Sequence, residues 1–364
     1  MSPKPLIAAC LPSYGEEETI ASVAGHVAAG LGRLSRRARV LIVHVDCGSP
    51  DRTVERFAAL DLPVPAVQRT APRGKGNALR VFFELCRELG ARYALAFDTD
   101  LTGIDASWVS AFADPLLDGT AAAVLPAYPR GAYEASATHH LAVPIVYGVS
   151  GRLIPQPIGG EFGLDLEAVD PGGVDWTGST REYGVDIALT FAALRGTGPV
   201  ALADPGAKLH RPSFFHLPRV FRHVAEAGLR SAAAAGPDAG YAPAPEGIGP
   251  RLWGGVWQHR ERTRALAAEA RAQLGARDLA APGFDDPGLP EWSAEAWPRA
   301  LAAALRAPGA DPAAAAAALT PLFVLRAAGF WLGVERDGPA AGEAELLRQA
   351  RQVRALIPAG PPPA

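Results

Sequence analysis

The first third of the chain alternates short apolar runs with segments of helical spacing, and this alternation limits the possible folds more than any other feature. Strands are predicted for the apolar runs at residues 6–11, 40–45, 64–68, 93–97 and 121–126, and helices for residues 16–34, 51–59 and 76–89. In the last of these helices, Leu79, Phe82 and Leu85 recur at helical spacing. Apolar strands that alternate with helices form βαβ units around a mostly parallel sheet covered on both faces. We therefore expect an α/β, Rossmann-like sheet flanked by helices.

This topology also predicts where a ligand binds. In open α/β sheets, ligands lie outside the carboxyl ends of the strands. The segments that leave those ends read PSYGEEET, DCGSPDRT, RTAPRGKGNA and DTDLTGID. Each is rich in acidic, basic or glycine residues, so the four segments together predict one polar binding site.

Composition limits the class of protein. The 364 residues are 49% hydrophobic, enough for a large core and two or three structural units. The net charge of −3 gives no basic surplus for a nucleic-acid partner. Three scattered cysteines are too few for a disulfide framework or a zinc site, which favours a reducing, cytoplasmic location.

Two segments bear on whether the chain has a signal peptide or a membrane span. The first fifteen residues lack the apolar stretch of a signal peptide. Residues 313–334 approach the length of a membrane span, but they contain Pro321 and Arg326 and are largely alanine. A buried helical pair is therefore predicted here instead of a span.

The later parts of the chain change in character. Residues 127–215 are glycine-rich and less regular, with a helix predicted from about Glu182 and an extended pair in PVALADPGAKLH. Helical patterns dominate from Phe221 onward. We predict a catalytic region at 1–215, a helical region at 216–357 that covers the acceptor side or makes a dimer contact, and a disordered tail at 358–364.

The acidic pair Asp98 and Asp100, separated by Thr99, follows the apolar run YALAF. At a turn after a strand, both carboxylates can reach one hard cation such as Mg²⁺, which typically also binds substrate phosphates. The alternative is ordinary turn chemistry, because aspartate favours turns. The position after an apolar strand of this topology favours the metal site.

A basic residue between glycines, Gly74-Lys75-Gly76, precedes a predicted helix. The glycines let the backbone approach a phosphate, Lys75 supplies charge, and the helix N-terminus attracts anions. The pattern is neither a P-loop nor a dinucleotide fingerprint. A solvated turn before a helix is the alternative.

The loops after the first two strands are candidates for nucleoside binding. The backbone of LPSYGEEETI, with Glu16, could hold a base and ribose, and Asp46 could meet the same nucleoside. The alternative for both loops is a helix start, where acidic residues are favourable. His210, Glu161 and Asp186 are ambiguous from the residues alone.

Seven segments resemble, in order, nucleotide-sugar glycosyltransferases of the GT-A fold (family 2-like), most closely glucosyl-3-phosphoglycerate and mannosylglycerate synthases. They span residues 6–211 and read LPSYGEEETI, VDCGSPD, RGKGNAL, DTD, PQPIGGEFG, YGVDIAL and LHRP. The resemblance implies transfer of a hexose from a UDP-glucose or GDP-mannose type of donor to a small polar acceptor such as glycerate or 3-phosphoglycerate.

The resemblance also implies roles for individual residues. The nucleoside would lie against Pro12, Ser13, Tyr14, Glu16, Asp46 and Cys47, and Lys75 and Thr99 would lie near the donor. Asp98, Asp100 and His210 would hold Mg²⁺ or Mn²⁺. Gly159, Gly160 and Glu161 would border the sugar, and Asp186 would lie near the reacting centre. Retention of anomeric configuration is expected; with inversion, Asp186 or Glu182 would be the general base.

Departures from the family pattern concern the acceptor. The family's G-R-V-T-like loop reads ASAT here, with Ser136 in place of arginine, and Lys208 also stands where arginine is expected. Pro212 replaces a polar residue. Lysine cannot reproduce arginine's planar, bidentate contact with phosphate. Arg130, Lys208 and Arg211 could instead bind a smaller acid.

Two other functions remain open. A sugar-phosphate nucleotidyltransferase shares the general fold, but LPSYGEEET lacks the G-x-x-T-R-like loop of those enzymes. The other is a catalytically silent nucleotide-sugar binder, against which the filled Asp100, Lys75 and His210 positions argue.

Overall fold

The computed structural model describes residues 3–210, 217–237, 240–274, 281–307 and 309–357. The chain divides into two compact units, the first of residues 1–128, 158–213 and 240–245, and the second of residues 129–157, 214–239 and 246–364. Residues 129–157 thus belong to the second unit, whereas the predicted catalytic region spans 1–215. The predicted tail at 358–364 and the residues Arg211 and Pro212 lie outside the described part of the chain.

The first unit is built on a seven-stranded sheet in the order β3-β2-β1-β4-β7-β5-β8. Its strands are β1 (Leu6–Ser13), β2 (Arg39–Asp46), β3 (Ala66–Thr70), β4 (Tyr93–Ala96), β5 (Ala123–Pro126), β7 (Phe162–Asp165) and β8 (Val200–Ala203). All neighbours pair in parallel except β7, which is antiparallel to β4 and β5. The predicted mixed, mostly parallel sheet is confirmed.

Helices flank this sheet as the alternating pattern predicted. They are α1 (Ile20–Leu34), α2 (Thr53–Ala58), α3 (Lys75–Leu89), α4 (Ser107–Leu117) and α6 (Val185–Leu194). Helix α3 ends at Gly90, whose left-handed φ of 62° closes the helix as glycine readily does. Helix α6 begins at Val185, three residues after the predicted start, and α4 was not predicted.

The core of the first unit explains the apolar strand runs. Every residue of β1 is buried, and Val23, Val27 and Leu31 of α1 are completely buried in the same cluster as Ile7. Each such side chain stabilises the fold by about 1.5–3 kcal/mol relative to an exposed one. The buried sheet therefore provides a rigid base for the loops at its carboxyl edge.

The middle of the chain differs most from expectation. Strand β7 was not predicted, because it has four residues and includes Gly163, where a side chain would collide with the Phe112 carbonyl of α4. The predicted extended pair in residues 199–210 is wrong: only β8 forms, followed by a single antiparallel bridge between Leu101 and His210.

The second unit is mainly helical. Its elements are β6 (Arg130–Gly131), a π-helical turn (Ala137–Ala142), α5 (Val143–Ser150), α7 (Leu217–Ala235), β9 (Leu252–Trp253), α8 (Arg260–Gln273), α9 (Leu289–Arg306), α10 (Pro312–Asp337) and α11 (Pro339–Leu356). The predicted helical pair is wrong, because α10 is one continuous helix that includes Pro321.

By length and composition, α10 would also be able to cross a membrane, and 61% of its most apolar window is buried within the structure. Arg326, at the middle of α10, is fully buried. Its Nε donates to Gln349 Oε1 at 2.8 Å, and the guanidinium pairs with Glu345. Burial of α10 against other helices of its unit agrees with the predicted packing role.

Candidate active site

The segments at the carboxyl ends of β1 and β4 are hydrogen-bonded to each other at the edge of the sheet. Thr99 Oγ1 donates to the Pro12 carbonyl at 2.6 Å, and Ser13 Oγ lies 2.7 Å from His44 Nε2 and 3.2 Å from Asp46 Oδ1. Thr99 and Ser13 are buried. Both side chains therefore hold the strand ends in place, which is a positioning role.

Asp46 and Cys47 shape the loop after β2. Asp46 Oδ2 accepts hydrogen bonds from the backbone amides of Gly48 and Ser49, at 2.8 and 3.0 Å. Cys47 Sγ donates to the Gly74 carbonyl at 3.5 Å, and burial together with Asp46 raises the pKa of this thiol to about 11. The thiol stays protonated, so Cys47 links two loops without acting as a nucleophile.

Glu16 and Tyr14 lie on the loop after β1. The Glu16 amide donates to Thr53 Oγ1 at 2.8 Å, and its carbonyl accepts from the amides of Thr19 and Ile20 at the start of α1. Tyr14 is 39% exposed. The helix-start interpretation thus holds for Glu16, while the Tyr14 ring is accessible to a ligand.

Asp98 lies between two lysines. Its Oδ1 is 2.7 Å from Lys75 Nζ, and its Oδ2 is 2.8 Å from Lys208 Nζ. Burial alone would raise the pKa of Asp98, but the ammonium groups of Lys208 and Lys75 outweigh burial and hold this pKa well below its usual range. Both carboxylate oxygens are thus engaged by protein cations.

Lys75 extends the cluster to Asp186 at the first turn of α6. The distance from Lys75 Nζ to Asp186 Oδ2 is 3.1 Å. Burial raises the pKa of Asp186, Lys75 opposes this shift and Asp98 adds to it. The second oxygen, Oδ1, is buried and has no hydrogen-bond partner among the described residues. Asp186 Oδ1 therefore retains the capacity to accept one further hydrogen bond.

Lys208 is almost fully buried, with 4% exposure. Its Nζ lies 2.9 Å from Glu161 Oε1 and 2.6 Å from the Gly159 carbonyl, and the Tyr128 hydroxyl lies 2.6 Å from Glu161 Oε2. Burial raises the pKa of Glu161 despite Lys208. The suggestion that Lys208 binds an acidic acceptor is therefore wrong, because its ammonium is committed to this cluster. Glu161 is equally enclosed and positions Lys208.

The glycines near the cluster allow neighbouring segments of the chain to approach closely. A side chain at Gly160, whose φ is 97°, would overlap the Asp98 carboxylate. A side chain at Gly74 or Gly76 would overlap the Arg181 or Thr180 carbonyl. Gly74 and Gly76 were predicted to admit a phosphate, whereas the structure shows that they admit the backbone before α6.

Asp100 and His210 approach each other across the antiparallel bridge at Leu101. The distance from Asp100 Oδ2 to His210 Nδ1 is 3.8 Å. Burial and the nearby Asp98 raise the pKa of Asp100. The side chains are 31% and 15% exposed. Of the predicted metal set, Asp100 and His210 thus lie near each other, whereas both oxygens of Asp98 contact lysines.

The whole cluster carries an excess of negative charge. Four carboxylates, of Asp98, Asp100, Glu161 and Asp186, face two ammonium groups, so its formal charge is −2 when all are ionised. A divalent cation at Asp100 would neutralise this excess, and the carboxylate oxygens of Asp100 are ligands that suit Mn²⁺ or Mg²⁺. Over the described residues, no set of three or more His, Cys, Asp or Glu side chains is arranged around one point. Substrate oxygens would have to complete the coordination.

One site residue escaped the sequence analysis. Tyr128, fully buried two residues after β5, lies within hydrogen-bond distance of Glu161 and of the Gly159 carbonyl at 2.7 Å. Its position just past the carboxyl end of a predicted strand was the available signal. Lys208 was noted, but with a different role.

Comparisons with known proteins agree with this architecture. Neither the protein-family models nor the curated proteins include a match to the chain. Glucosyl-3-phosphoglycerate synthase from Mycobacterium tuberculosis, solved with Mg²⁺ and uridine diphosphate, is similar with a TM-score of 0.50 and 22% identity over 68% of this chain and 90% of that one. The same synthase with Mn²⁺, UDP-glucose and phosphoglyceric acid gives a TM-score of 0.49 at 22% identity and the same coverage. At this identity the likeness concerns the fold, and the chain has the predicted GT-A fold.

Proposed function

We propose that this protein is a metal-dependent glycosyltransferase that moves a hexose from a nucleoside-diphosphate sugar to a small polar or acidic acceptor. The observation that carries the proposal is the cluster around the half-buried Asp98, in which Lys208 and Glu161 are buried, with its formal excess of two negative charges at the carboxyl edge of a GT-A sheet. Such a cluster is suited to a divalent cation and a diphosphate together.

Asp100 and His210 would hold Mg²⁺ or Mn²⁺. When bound, the cation would act as a Lewis acid that stabilises charge on the departing diphosphate. Asp98 was expected to be a direct ligand. With Lys75 and Lys208 on its two oxygens, its proposed role is to fix the lysines and to supply negative charge behind Asp100.

The donor would bind along the loops after β1 and β2. The structure of the mycobacterial synthase contains uridine diphosphate and Mg²⁺, and we assign the same class of donor to this chain. Pro12, Ser13, Tyr14 and the loop at Asp46 would border the nucleoside. Gly159 and Gly160 would lie beside the hexose, with Lys75 near the phosphates.

The transfer would exchange one bond at the anomeric carbon for another. The bond to the diphosphate oxygen breaks, a bond to the acceptor oxygen forms, and the acceptor proton passes to the departing diphosphate. Attack on the face that the diphosphate leaves retains the anomeric configuration. Asp186, whose Oδ1 is free to accept, would orient a hexose or acceptor hydroxyl.

The acceptor would be small and polar or acidic, such as glycerate or 3-phosphoglycerate. Lys208 is not available to it. Arg130 lies in the second unit, 3.5 Å from Glu134, and Arg211 lies outside the described residues.

Cytoplasmic location is part of the proposal, and three unpaired cysteines, all buried, are compatible with it.

A transfer assay tests the proposal. UDP-glucose and GDP-mannose are offered with glycerate or 3-phosphoglycerate, with Mn²⁺, with Mg²⁺ or with a chelator, and NMR reports the anomeric configuration. Wild type should transfer or hydrolyse only with metal. Asp100→Ala should lose roughly 100- to 1,000-fold in rate, the range for removing one electrostatic contact to a developing charge.

Asp61→Ala is the matched control, because Asp61 is exposed and lies before β3, at the amino end of that strand. It should keep wild-type activity. Full activity of the wild type in chelator, or full activity of Asp100→Ala, would contradict the proposed metal site.

A further inference from the structure

The carbonyl oxygen of Gly159 accepts hydrogen bonds from two buried side chains of the first unit. Lys208 Nζ donates to it at 2.6 Å and the Tyr128 hydroxyl at 2.7 Å. The phenolic proton is shared with Glu161 Oε2, which lies 2.6 Å from the same hydroxyl. A carbonyl oxygen has two lone pairs, and here each one faces a donor. The direction of the Gly159 carbonyl is therefore set by Lys208 and Tyr128.

This direction also sets that of the next amide. The described residues contain no cis peptide bond, and in a trans peptide the C=O and N–H groups point in opposite directions. The N–H of Gly160 thus points away from Lys208 and Tyr128. Gly160 is buried, and none of the residues that the structure describes accepts a hydrogen bond from its amide.

A buried amide without an acceptor is unusual. Backbone donors in protein interiors are almost always paired, because an unpaired one costs about 1–3 kcal/mol. Gly160 lies next to the charge cluster, since a side chain at this position would overlap the Asp98 carboxylate and come 2.9 Å from Lys75 Nζ. The amide is therefore a preformed donor beside the proposed site, and an oxygen atom of a ligand would satisfy it.

Two adjacent glycines make the orientation of this peptide depend on its hydrogen bonds. Glycine adopts positive and negative φ about equally readily, and Gly160 has a φ of 97°. The peptide between Gly159 and Gly160 consequently meets little steric resistance to rotation. The two donors to the Gly159 carbonyl, and not the backbone itself, keep the Gly160 amide in its observed direction.

We propose that Tyr128 is a positioning residue that, together with Lys208, orients the Gly160 amide to donate to an oxygen atom of the bound sugar nucleotide. This inference rests on the proposed function. The accepting oxygen belongs to the hexose or to the diphosphate. Separate titrations with sugar nucleotides and with nucleoside diphosphates distinguish these two sources.

The Gly160 amide can be observed by itself. The sequence contains three Gly-Gly pairs, at 159–160, 172–173 and 254–255. In protein labelled with glycine that carries ¹³C at the carbonyl and ¹⁵N at the amide, an HNCO spectrum selects amides that follow a glycine. Its three signals belong to Gly160, Gly173 and Gly255. Gly173→Ala and Gly255→Ala each remove one signal and so identify the third; a side chain at either position has nothing within 4 Å.

These signals are followed in Mg²⁺ as UDP-glucose, GDP-mannose, UDP or GDP is added. In wild type, the Gly160 amide proton should move downfield on binding, as a newly formed hydrogen bond requires, while the signals of Gly173 and Gly255 move less. A shift with a sugar nucleotide alone places the accepting oxygen on the hexose. The same shift with the nucleoside diphosphate places it on the diphosphate.

Tyr128→Phe removes the hydroxyl and keeps the ring. Without ligand, it should change the ¹³C shift of the Gly159 carbonyl, which loses one donor. It should also weaken binding of the ligands that move the Gly160 signal by roughly threefold to tenfold, the usual effect of one hydrogen bond.

Tyr93→Phe is the matched control. Tyr93 is also buried, at 5% exposure, but it begins β4 and so lies at the opposite edge of the sheet. This variant should keep the wild-type Gly159 and Gly160 signals and the wild-type affinities. Thermal melting of both variants measures any loss of stability separately.

Two results would overturn the inference and leave the proposed function intact. One is a Gly160 signal that stays in place in a wild type that binds these nucleotides, which needs no variant. The other is a Tyr128→Phe variant with the wild-type Gly159 carbonyl shift and wild-type affinities, even if it melts at a lower temperature. If none of the four nucleotides binds to wild type, the proposed function itself fails and this inference with it.

Discussion

Replacing Lys208 with methionine tests the charge cluster at its centre. Methionine has a similar length but no charge, so the change removes the ammonium with little change in volume. Lys208 Nζ lies 2.8 Å from Asp98, 2.9 Å from Glu161 and 2.6 Å from the Gly159 carbonyl, and the residue is 4% exposed. Its loss leaves the buried Glu161 carboxylate and the half-buried Asp98 carboxylate with less compensating charge.

The expected cost at neutral pH is about 3–5 kcal/mol in free energy of unfolding, the usual result of removing one partner of a buried ion pair. The cost should depend on pH. The pKa of Glu161 is already raised by burial in wild type, and without Lys208 it should rise further. The folded variant then binds this proton more tightly than the unfolded chain does. The contribution of this proton to the free energy of unfolding is fully present below the pKa of Glu161 in the unfolded chain. It is lost as the pH rises through the pKa of Glu161 in the folded variant.

Scanning calorimetry at about pH 5 and about pH 8 measures both effects. For a unit of this size, about 2–4 °C is lost per kcal/mol, so the transition of the first unit should fall by roughly 6–20 °C at the higher pH and by less at the lower pH. Lys4→Met is the control, since Lys4 is exposed and its ammonium donates to the Ser35 carbonyl at the surface. If the two variants lower the transition temperature equally, and by the same amount at both pH values, the proposed charge compensation by Lys208 is refuted.

Two further predictions concern packing and metal binding. Gly76→Ala should cost about 1–3 kcal/mol in free energy of unfolding, because the added methyl group would overlap the Thr180 carbonyl. Gly25→Ala is the control: Gly25 lies on the exposed face of α1 with nothing nearby, so this change should be neutral or stabilising. Equal effects of the two changes in thermal melts would contradict this prediction. Mn²⁺ affinity should begin to fall on acidification above the ordinary aspartate pKa of 3.8, because the pKa of Asp100 is raised and protons compete for it; full affinity at that pH in a calorimetric titration would contradict this.

The sheet was predictable where local pattern decides the structure. Strands β1 and β2 form continuous apolar runs between helices, and both are confirmed. Strand β7 was not predictable in this way, because FGLD is short and contains Gly163. Its conformation is set by pairing with β4 and β5, the first of which lies some seventy residues earlier, and by close packing of α4 on Gly163.

The site was predictable as a set of strand ends but not as a set of contacts. Topology alone placed Asp98, Asp100 and Lys75 at one edge of the sheet. The role of Lys208 depends on Asp98 and Glu161, which are 110 and 47 residues away along the chain. No local signal specifies that its ammonium turns inward to them instead of outward to an acceptor.

The glycines show the same limit. Gly74 and Gly76 were conspicuous beside Lys75, and a phosphate was the expected reason for them. Their actual neighbours are the Arg181 and Thr180 carbonyls, more than a hundred residues later. A glycine in a sequence indicates that something comes close, and only the folded chain shows what it is.

Electron paramagnetic resonance of Mn²⁺ with uridine or guanosine diphosphate is a direct test of the proposed metal site, because it counts bound cations without requiring turnover. Wild type should bind one Mn²⁺ together with the diphosphate. Asp100→Asn should lose this bound Mn²⁺, whereas Asp61→Asn should keep it. A wild type that binds the diphosphate equally well without Mn²⁺, or an Asp100→Asn variant that binds Mn²⁺ as wild type does, would contradict the proposed role of Asp100 as a metal ligand.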